Sequence, residues 1–461
     1  MDNDRHDLAD DELAGIVTAA LAEHQVPGCA VAVAHEGRVW SGGFGVANAD
    51  TGLPFTAATR IPICSMSKPY AAAAVLALVE EGRVELDAPV RRYLPAFRVA
   101  DEAASAAVTV RQLLNHTSGW IGDLEHEDRH FFDRGDDAVE KQVARMATLR
   151  QVTPPGAHWS YSNSGIVVAG RVVEAVAGVS FETFARERLL EPLGMSQSTY
   201  FHELAIAYPI AVGHSVRDDG GYDVIDWPWT PERRISPAGG VISTAEDQLR
   251  WARWWAGDEL DGARAPLSAA TRARMVEETV PAGNLCDAMG LGWMVDELDG
   301  TRVVHHGGTG FGFQTLSWFV PQARLAAVVL TNARGGILVQ TAVREHLLAS
   351  LLGVRSRPLP TLEPSPQERA EYHGRYVRLG VEHDDALTVE SSTAGLDLLV
   401  DAERDTDPPG RIAVRFHRRD ELVLTEGPMR GLRAEFVRDG DGGLLGLRFG
   451  GRIWLREPAA A

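Results

Sequence analysis

Cysteine is scarce in this chain: its 461 residues include three, Cys29, Cys64 and Cys286. Three thiols cannot build a disulfide framework, and none stands in a C-x-x-C pair, so disulfide-stapled and zinc-ribbon architectures are excluded. Positive charge is in deficit too, with 45 Lys and Arg against 64 Asp and Glu and a formal net charge of -19. A surface of that sign repels a phosphate backbone, so nucleic acid is not an expected partner. No run of about 18 uninterrupted apolar residues is present, and a membrane is not expected either. Self-similarity of solenoid period is absent. The first residues, MDNDRHDLADDELAGIV, are acidic and hold no apolar segment of signal-peptide type. Together with the cysteine usage, this sets the expectation of a cytoplasmic protein.

What the chain does have is the composition of a globular enzyme, 45% hydrophobic and 24% charged, at a length that accommodates one large domain and a smaller one. GCAVAVAHEGRVWSGGFGVAN (28–48) reads as two strands turning at Glu36-Gly37. PICSMSKPYAAAAVLALVEEG (62–82) contains a buried helix that runs on from Pro69 and stops near Gly82. WSYSNSGIVVAGRVVEAVAG (159–178) is a turn leading into a helix ended by Gly178, and in ISTAEDQLRWARWWAG (242–257) Ser243 or Thr244 caps an amphipathic helix. Residues 301–333 give successive antiparallel strands with a turn near Pro321–Arg324. Strands at both ends with helices between predict an α+β fold, an antiparallel sheet flanked by helices, over residues 1–354. RSRPLPTLEPSPQERA opens a Pro-rich linker, placed at 355–368. From 369 to 461, short alternating strands between Gly- and Asp-rich turns predict a small all-β barrel or sandwich.

Three short stretches carry the chemistry. Ser65 and Lys68 lie about one helical turn apart, so hydroxyl and amine can touch. Tyr161-Ser-Asn163 stands on the turn before a helix, and His306-Gly-Gly308 on a strand running into glycines. Taken singly each is ordinary: Ser65 and Lys68 as helix residues, Tyr161 as a half-buried aromatic, Asn163 as a helix cap, His306 and its neighbour His305 as satisfied structural histidines. Their co-occurrence in this order is not ordinary. S-x-x-K with S-D-N and K-T-G is the signature of penicillin-binding proteins and class A β-lactamases; here the second and third elements are Y-S-N and H-G-G. In that form the chain resembles the class C β-lactamase group, with its D-aminopeptidases, DD-carboxypeptidases, esterases and acyltransferases. LLNHTSGW (113–120), EPLGM (191–195), SPAGGVISTAEDQLRW (236–251) and GLGW (290–293) look like that group's recurring segments, so the resemblance covers about residues 10–350.

The resemblance implies a β-lactamase/transpeptidase-like catalytic domain working through an acyl-enzyme. Ser65 would be the nucleophile and Lys68, which sheds its charge easily when desolvated, the general base. Tyr161 would share or relay the proton. Asn163, His306 and Gly308 would position substrate, and the backbone N–H groups of Ser65 and Thr309 would form the oxyanion hole. Gly307, Gly308 and Gly310 let a substrate backbone lie close along that strand edge. True β-lactamases usually hold a lysine where this chain has His306. Losing that fixed charge predicts weaker β-lactam binding and leaves the acyl-enzyme chemistry untouched. No metal or other cofactor is implied.

With no export-type segment and a β-rich end, the layout looks most like the penicillin-binding-protein-type thioesterases, whose C-terminal module is lipocalin-like. That likeness implies release and head-to-tail macrocyclisation of a nonribosomal peptide thioester, often at a D-residue. The implied partners are a peptide or peptidyl-thioester substrate and a carrier protein of a peptide synthetase. A D-stereospecific aminopeptidase, amidase or esterase of the same group is the alternative, and a catalytically silent penicillin-binding-like module the third reading. DWPWTPERR (226–234) is a candidate pocket wall or a structural Trp-Pro loop. Arg448 and Arg452 could reach a carboxylate or a carrier phosphate, but nothing in the sequence aims them at the site. HEDRH (126–130) matches the zinc pattern H-E-x-x-H, yet Asp128 and Arg129 between the histidines predict a solvated loop. GGTGFG (307–312) lacks the spacing of a nucleotide-binding loop.

Overall fold

The computed structural model describes residues 10–124, 133–226, 229–230, 232–380, 383–392, 395–401, 410–427 and 430–458. The segment 28–48 folds as the sequence predicts, Gly28–His35 and Arg38–Asn48 pairing antiparallel. Their two-residue turn needs left-handed backbone at both positions, supplied by Glu36 (φ 49°) and Gly37 (φ 84°). Gly28–His35 is a central strand, and its other neighbour is Leu325–Thr331, so the start and end of the catalytic part meet in one sheet. The full order is Leu53–Pro54, Arg38–Asn48, Gly28–His35, Leu325–Thr331, Phe313–Val320, Thr301–Gly310, Met294–Leu298, Ala288–Met289 and Val280–Pro281.

Both faces of the central strand are covered, which is why GCAVAVAH is apolar up to the half-buried His35 at its end. Cys29, Val31 and Val33 face a core shared with the helices Asp10–Glu23 and Gly336–Leu352. Ala30, Ala32 and Ala34 face the other core, where the helix Ala245–Trp255 brings Trp251, Trp254 and Trp255 against the sheet. Small residues on the strand leave room for large ones on the helix. Behind this lies the helix Lys68–Glu80, buried from Lys68 through Leu78 and packed on Asn163–Ala177. Left-handed Gly82 (φ 69°) and Gly178 (φ 78°) end these two helices where the sequence places their stops.

Eight strands from Gly374–Arg378 to Arg452–Arg456 form a closed antiparallel barrel, sealed by the pairing of Tyr376 with Arg456. Eight strands leave an interior just wide enough for side chains. Tyr372, Tyr376, Phe416, Phe436, Leu447 and Trp454 are among those that fill it, so the barrel is a packed scaffold. Within the stretch expected to be a spacer, the Leu362 amide donates to the Phe416 carbonyl at 2.7 Å. A short helix, Pro366–Ala370, then starts from a capping box made by Ser365 and Glu368.

Candidate active site

Cys64–Ser67 is one turn of 3₁₀ helix that runs directly into Lys68–Glu80. In 3₁₀ geometry residues i and i+3 eclipse, so Ser65 and Lys68 stack. Lys68 Nζ donates to Ser65 Oγ at 2.9 Å and to the Ala238 carbonyl at 2.8 Å. Lys68 is fully buried, whereas Ser65 stays partly exposed. Ala238 belongs to the short helix Ser236–Gly239, and the Val241 amide just beyond it donates to Ser67 Oγ at 3.0 Å. The two turns are therefore fastened together at both ends. Cys64, directly before Ser65, holds φ at 49°, backbone strain of roughly 1–3 kcal/mol for a non-glycine residue. Burial pushes its thiol up to about 12 although Lys68 acts to lower it, so Cys64 offers no competing thiolate.

Tyr161 is 8% exposed, and Lys68 Nζ lies 4.9 Å from its ring centre. On the same ring the Arg452 guanidinium carbon lies at 4.7 Å, His116 packs at 4.5 Å between centroids, and His306 at 6.2 Å. Two basic side chains thus lie against the Tyr161 ring. His116 Nδ1 accepts from the Ser162 amide at 3.1 Å, and burial, then the charge of Lys68, drives its ring well below the usual histidine range. His306 is pressed down to about 3 by burial and by Lys68, while its Nδ1 lies 2.7 Å from the Gly307 carbonyl oxygen. It is neutral near pH 7, so this site lacks the fixed charge a lysine would bring.

Asn163 begins the helix Asn163–Ala177 but does not cap it; Ser162 does, its Oγ accepting from the Gly165 amide at 3.0 Å. The Asn163 amide is left to donate to Asp123 Oδ1 at 3.2 Å, and Asp123 also receives Arg452 Nε at 2.7 Å. Gly308 sits hard against the Cys64–Ser67 turn: a Cβ there would stand 3.1 Å from the Ser65 nitrogen and 2.2 Å from the Ile63 oxygen. Thr309 is exposed, its hydroxyl donating to Gln314 Oε1 at 2.8 Å. Pairing of Thr301–Gly310 with Met294–Leu298 reaches only His305 opposite Met294. Among the described residues, the edge from 306 to 310 is open on that side, where an extended chain can add.

Ser65, Lys68, Tyr161, His306 and Gly308 therefore converge, with Asn163 joined to them through Asp123 and Arg452. The sequence did not reveal the Ala238 carbonyl, Asp123 or the aim of Arg452. His116 was visible inside LLNHTSGW without a role. Trp229 of the aromatic loop donates Nε1 to the Ala211 carbonyl at 2.7 Å, a structural bond, while Trp227 lies outside the described residues. HEDRH lies outside them as well. GGTGFG is the end of a strand and the turn after it. Among the described residues no cluster of three or more His, Cys, Asp or Glu could hold a metal ion.

The family profile described as beta-lactamase matches residues 13–350. Penicillin-binding protein 4 of Amycolatopsis lactamdurans is 34% identical over 375 residues, 78% of this chain and 96% of that protein. The chain belongs to the beta-lactamase family. As a member it is a serine hydrolase or acyltransferase. A D-aminopeptidase of Brucella anthropi is 26% identical over 420 residues, 90% of this chain and 73% of that protein. The solved structure of SurE with D-Leu superposes with a TM-score of 0.75 at 26% identity, covering 97% of this beta-lactamase family chain and 99% of SurE. The likeness to SurE thus takes in the barrel as well as the catalytic part.

Proposed function

We propose that the protein takes a peptide from a carrier-protein thioester onto Ser65 and closes it head to tail, with a D-residue at the acylating end. The observation that carries this reading is the end-to-end likeness to SurE, a protein crystallised with D-Leu. Ser65 Oγ attacks the thioester carbonyl, and its proton passes to the Lys68–Tyr161 pair as the C–O bond forms. The oxyanion is held by the amides of Ser65 and Thr309, the C–S bond breaks, and the carrier thiol leaves with a proton. The peptide's own amine then attacks the ester, the amide bond forms, and Ser65 recovers its proton. Ring or acid is decided by which nucleophile is held near the carbonyl and whether water is kept out. Asn163, His306 and Gly308 border the space where the peptide lies, along the open strand edge.

A second reading has an observation of its own: the D-aminopeptidase relative matches 90% of this chain. In that case water resolves the acyl-enzyme and the substrate is a peptide or amide with a D-residue at its amino end. Incubation with a linear peptidyl thioester mimic ending in a D-residue separates the two. A macrocycle as the main product supports the cyclase, and hydrolysed acid as the only product rejects it.

A further inference from the structure

Among the described residues, the segment 159–162 that carries Tyr161 belongs to no sheet. Its backbone is held from two sides in alternation, as an extended chain allows. The Ser160 amide donates to the His116 carbonyl at 2.9 Å, and the Ser162 amide to His116 Nδ1 at 3.1 Å. From the opposite side comes the last hairpin of the barrel. Arg448 Nε donates to the Trp159 carbonyl at 3.0 Å, and the Tyr161 amide donates to the Gly451 carbonyl at 2.8 Å. Arg448 is 5% exposed, donates also to the Ala282 carbonyl at 2.9 Å, and pairs with Glu435. The Gly451 amide in turn donates to Asn284 Oδ1 at 2.6 Å.

We propose that Arg448 is a positioning residue for Tyr161: by fixing Trp159 while Gly451 fixes Tyr161, the barrel sets where the phenol stands over Lys68. This rests on the reading of Tyr161 as the proton carrier. A guanidinium is required because two carbonyls lie in different directions from Nε and Nη1, a fork that an ammonium cannot reproduce. The barrel core shows why a separate domain serves here. Its interior is filled, so the hairpin is a rigid finger whose tip reaches the catalytic segment.

The test uses the full-length protein and a chromogenic p-nitrophenyl ester, with acylation followed by stopped flow from pH 5 to 10. Arg448→Lys keeps the buried charge beside Glu435 but loses the fork. The double variant Arg448→Met/Glu435→Gln removes both charges and leaves neither alone. Displacement of a catalytic group by a fraction of an ångström to about 1 Å predicts acylation slower by roughly 10- to 100-fold in both, with KM within about twofold of wild type. The pH limb that Tyr161→Phe abolishes is expected to move. The charged and titratable groups around that phenol, Lys68, His116, His306, Arg452 and Asp123, are unchanged in these variants. Folded variants that acylate within about threefold of wild type with an unmoved limb overturn the proposal. So does activity lost only in proportion to the unfolded fraction. Wild-type acylation by Tyr161→Phe instead overturns the reading of Tyr161 itself, which keeps the two failures distinct.

Discussion

Replacing Gly308 by alanine tests how closely the nucleophile turn and the strand edge are fitted. The new Cβ would lie 2.2 Å from the Ile63 oxygen, 2.4 Å from Thr315 Oγ1 and 3.1 Å from the Ser65 nitrogen. Those neighbours have no slack of their own, because Thr315 Oγ1 already donates to the Ile63 carbonyl at 2.8 Å. Bringing the shortest contact out to an ordinary 3.4 Å requires the strand and the turn to part by about 1.2 Å. That movement shifts the Ser65 amide relative to Thr309 and Lys68. A misplacement of about 1 Å costs roughly 100-fold in rate, about 2.7 kcal/mol of barrier. Overpacking adds roughly 1–3 kcal/mol of lost stability. Stopped-flow acylation with a chromogenic ester, alongside a thermal melt, reads both quantities. The fall is expected in kcat more than in KM, since the damage is to the reacting geometry. A Gly308→Ala protein that acylates within threefold of wild type refutes the fit described here.

Other perturbations are equally direct. His306 sits near pKa 3 in the folded state against about 6.5 when unfolded, so below pH 6.5 the unfolded chain binds a proton that the native state refuses. Stability contributed this way is present above pH 6.5 and lost as pH falls, by about 2 kcal/mol between pH 7 and 5. Urea denaturation should show His306→Gln declining by about that much less over the interval, and equal declines would contradict it. His116, also buried and held low, contributes in the same direction and is unaffected by that change. Gly170→Ala places a Cβ 2.2 Å from Pro237 Cγ, next to the residue whose carbonyl holds Lys68. A loss of roughly 1–3 kcal/mol by thermal melt, with slower acylation, is expected. An unchanged melt and rate would mean the Ser236–Gly239 turn yields freely. Finally, all three free cysteines are buried, so iodoacetamide at pH 8 should label none in the native protein and all in urea by mass spectrometry. Rapid native labelling of Cys64 would contradict the packing beside the nucleophile.

What the sequence disclosed and what it withheld have a physical division. Glu36-Gly37 announced a turn because two consecutive left-handed residues leave few choices, and Gly82 and Gly178 announced helix ends for the same reason. Ser65 and Lys68 were legible as a pair because their contact is local, three positions apart on one rising chain. Thr244, one of two candidate caps, is the one whose side chain accepts from Asp247. At the helix carrying Asn163, a serine and an asparagine side by side are both good caps, and only packing chooses Ser162, leaving the Asn163 amide for Asp123. The Ala238 carbonyl left no trace at all, because any residue would supply one. The Asp123–Arg452 pair joins positions 329 residues apart, and a lone arginine in a β-hairpin looks like surface until the barrel is docked. Arg448 was hidden for the same reason. Its partners are backbone oxygens of Trp159 and Ala282, which no motif records.

The claim beneath all of this is that one hydroxyl, activated by one buried amine, forms a covalent ester. Mixing the protein with a peptidyl thioester, quenching within seconds to minutes and weighing the intact chain tests that claim most directly. The account predicts a mass gain of one acyl group that maps to the peptide containing Ser65, absent in Ser65→Ala and slow to appear in Lys68→Met. Turnover that continues in Ser65→Ala, or an acyl group found on any other residue, would contradict it.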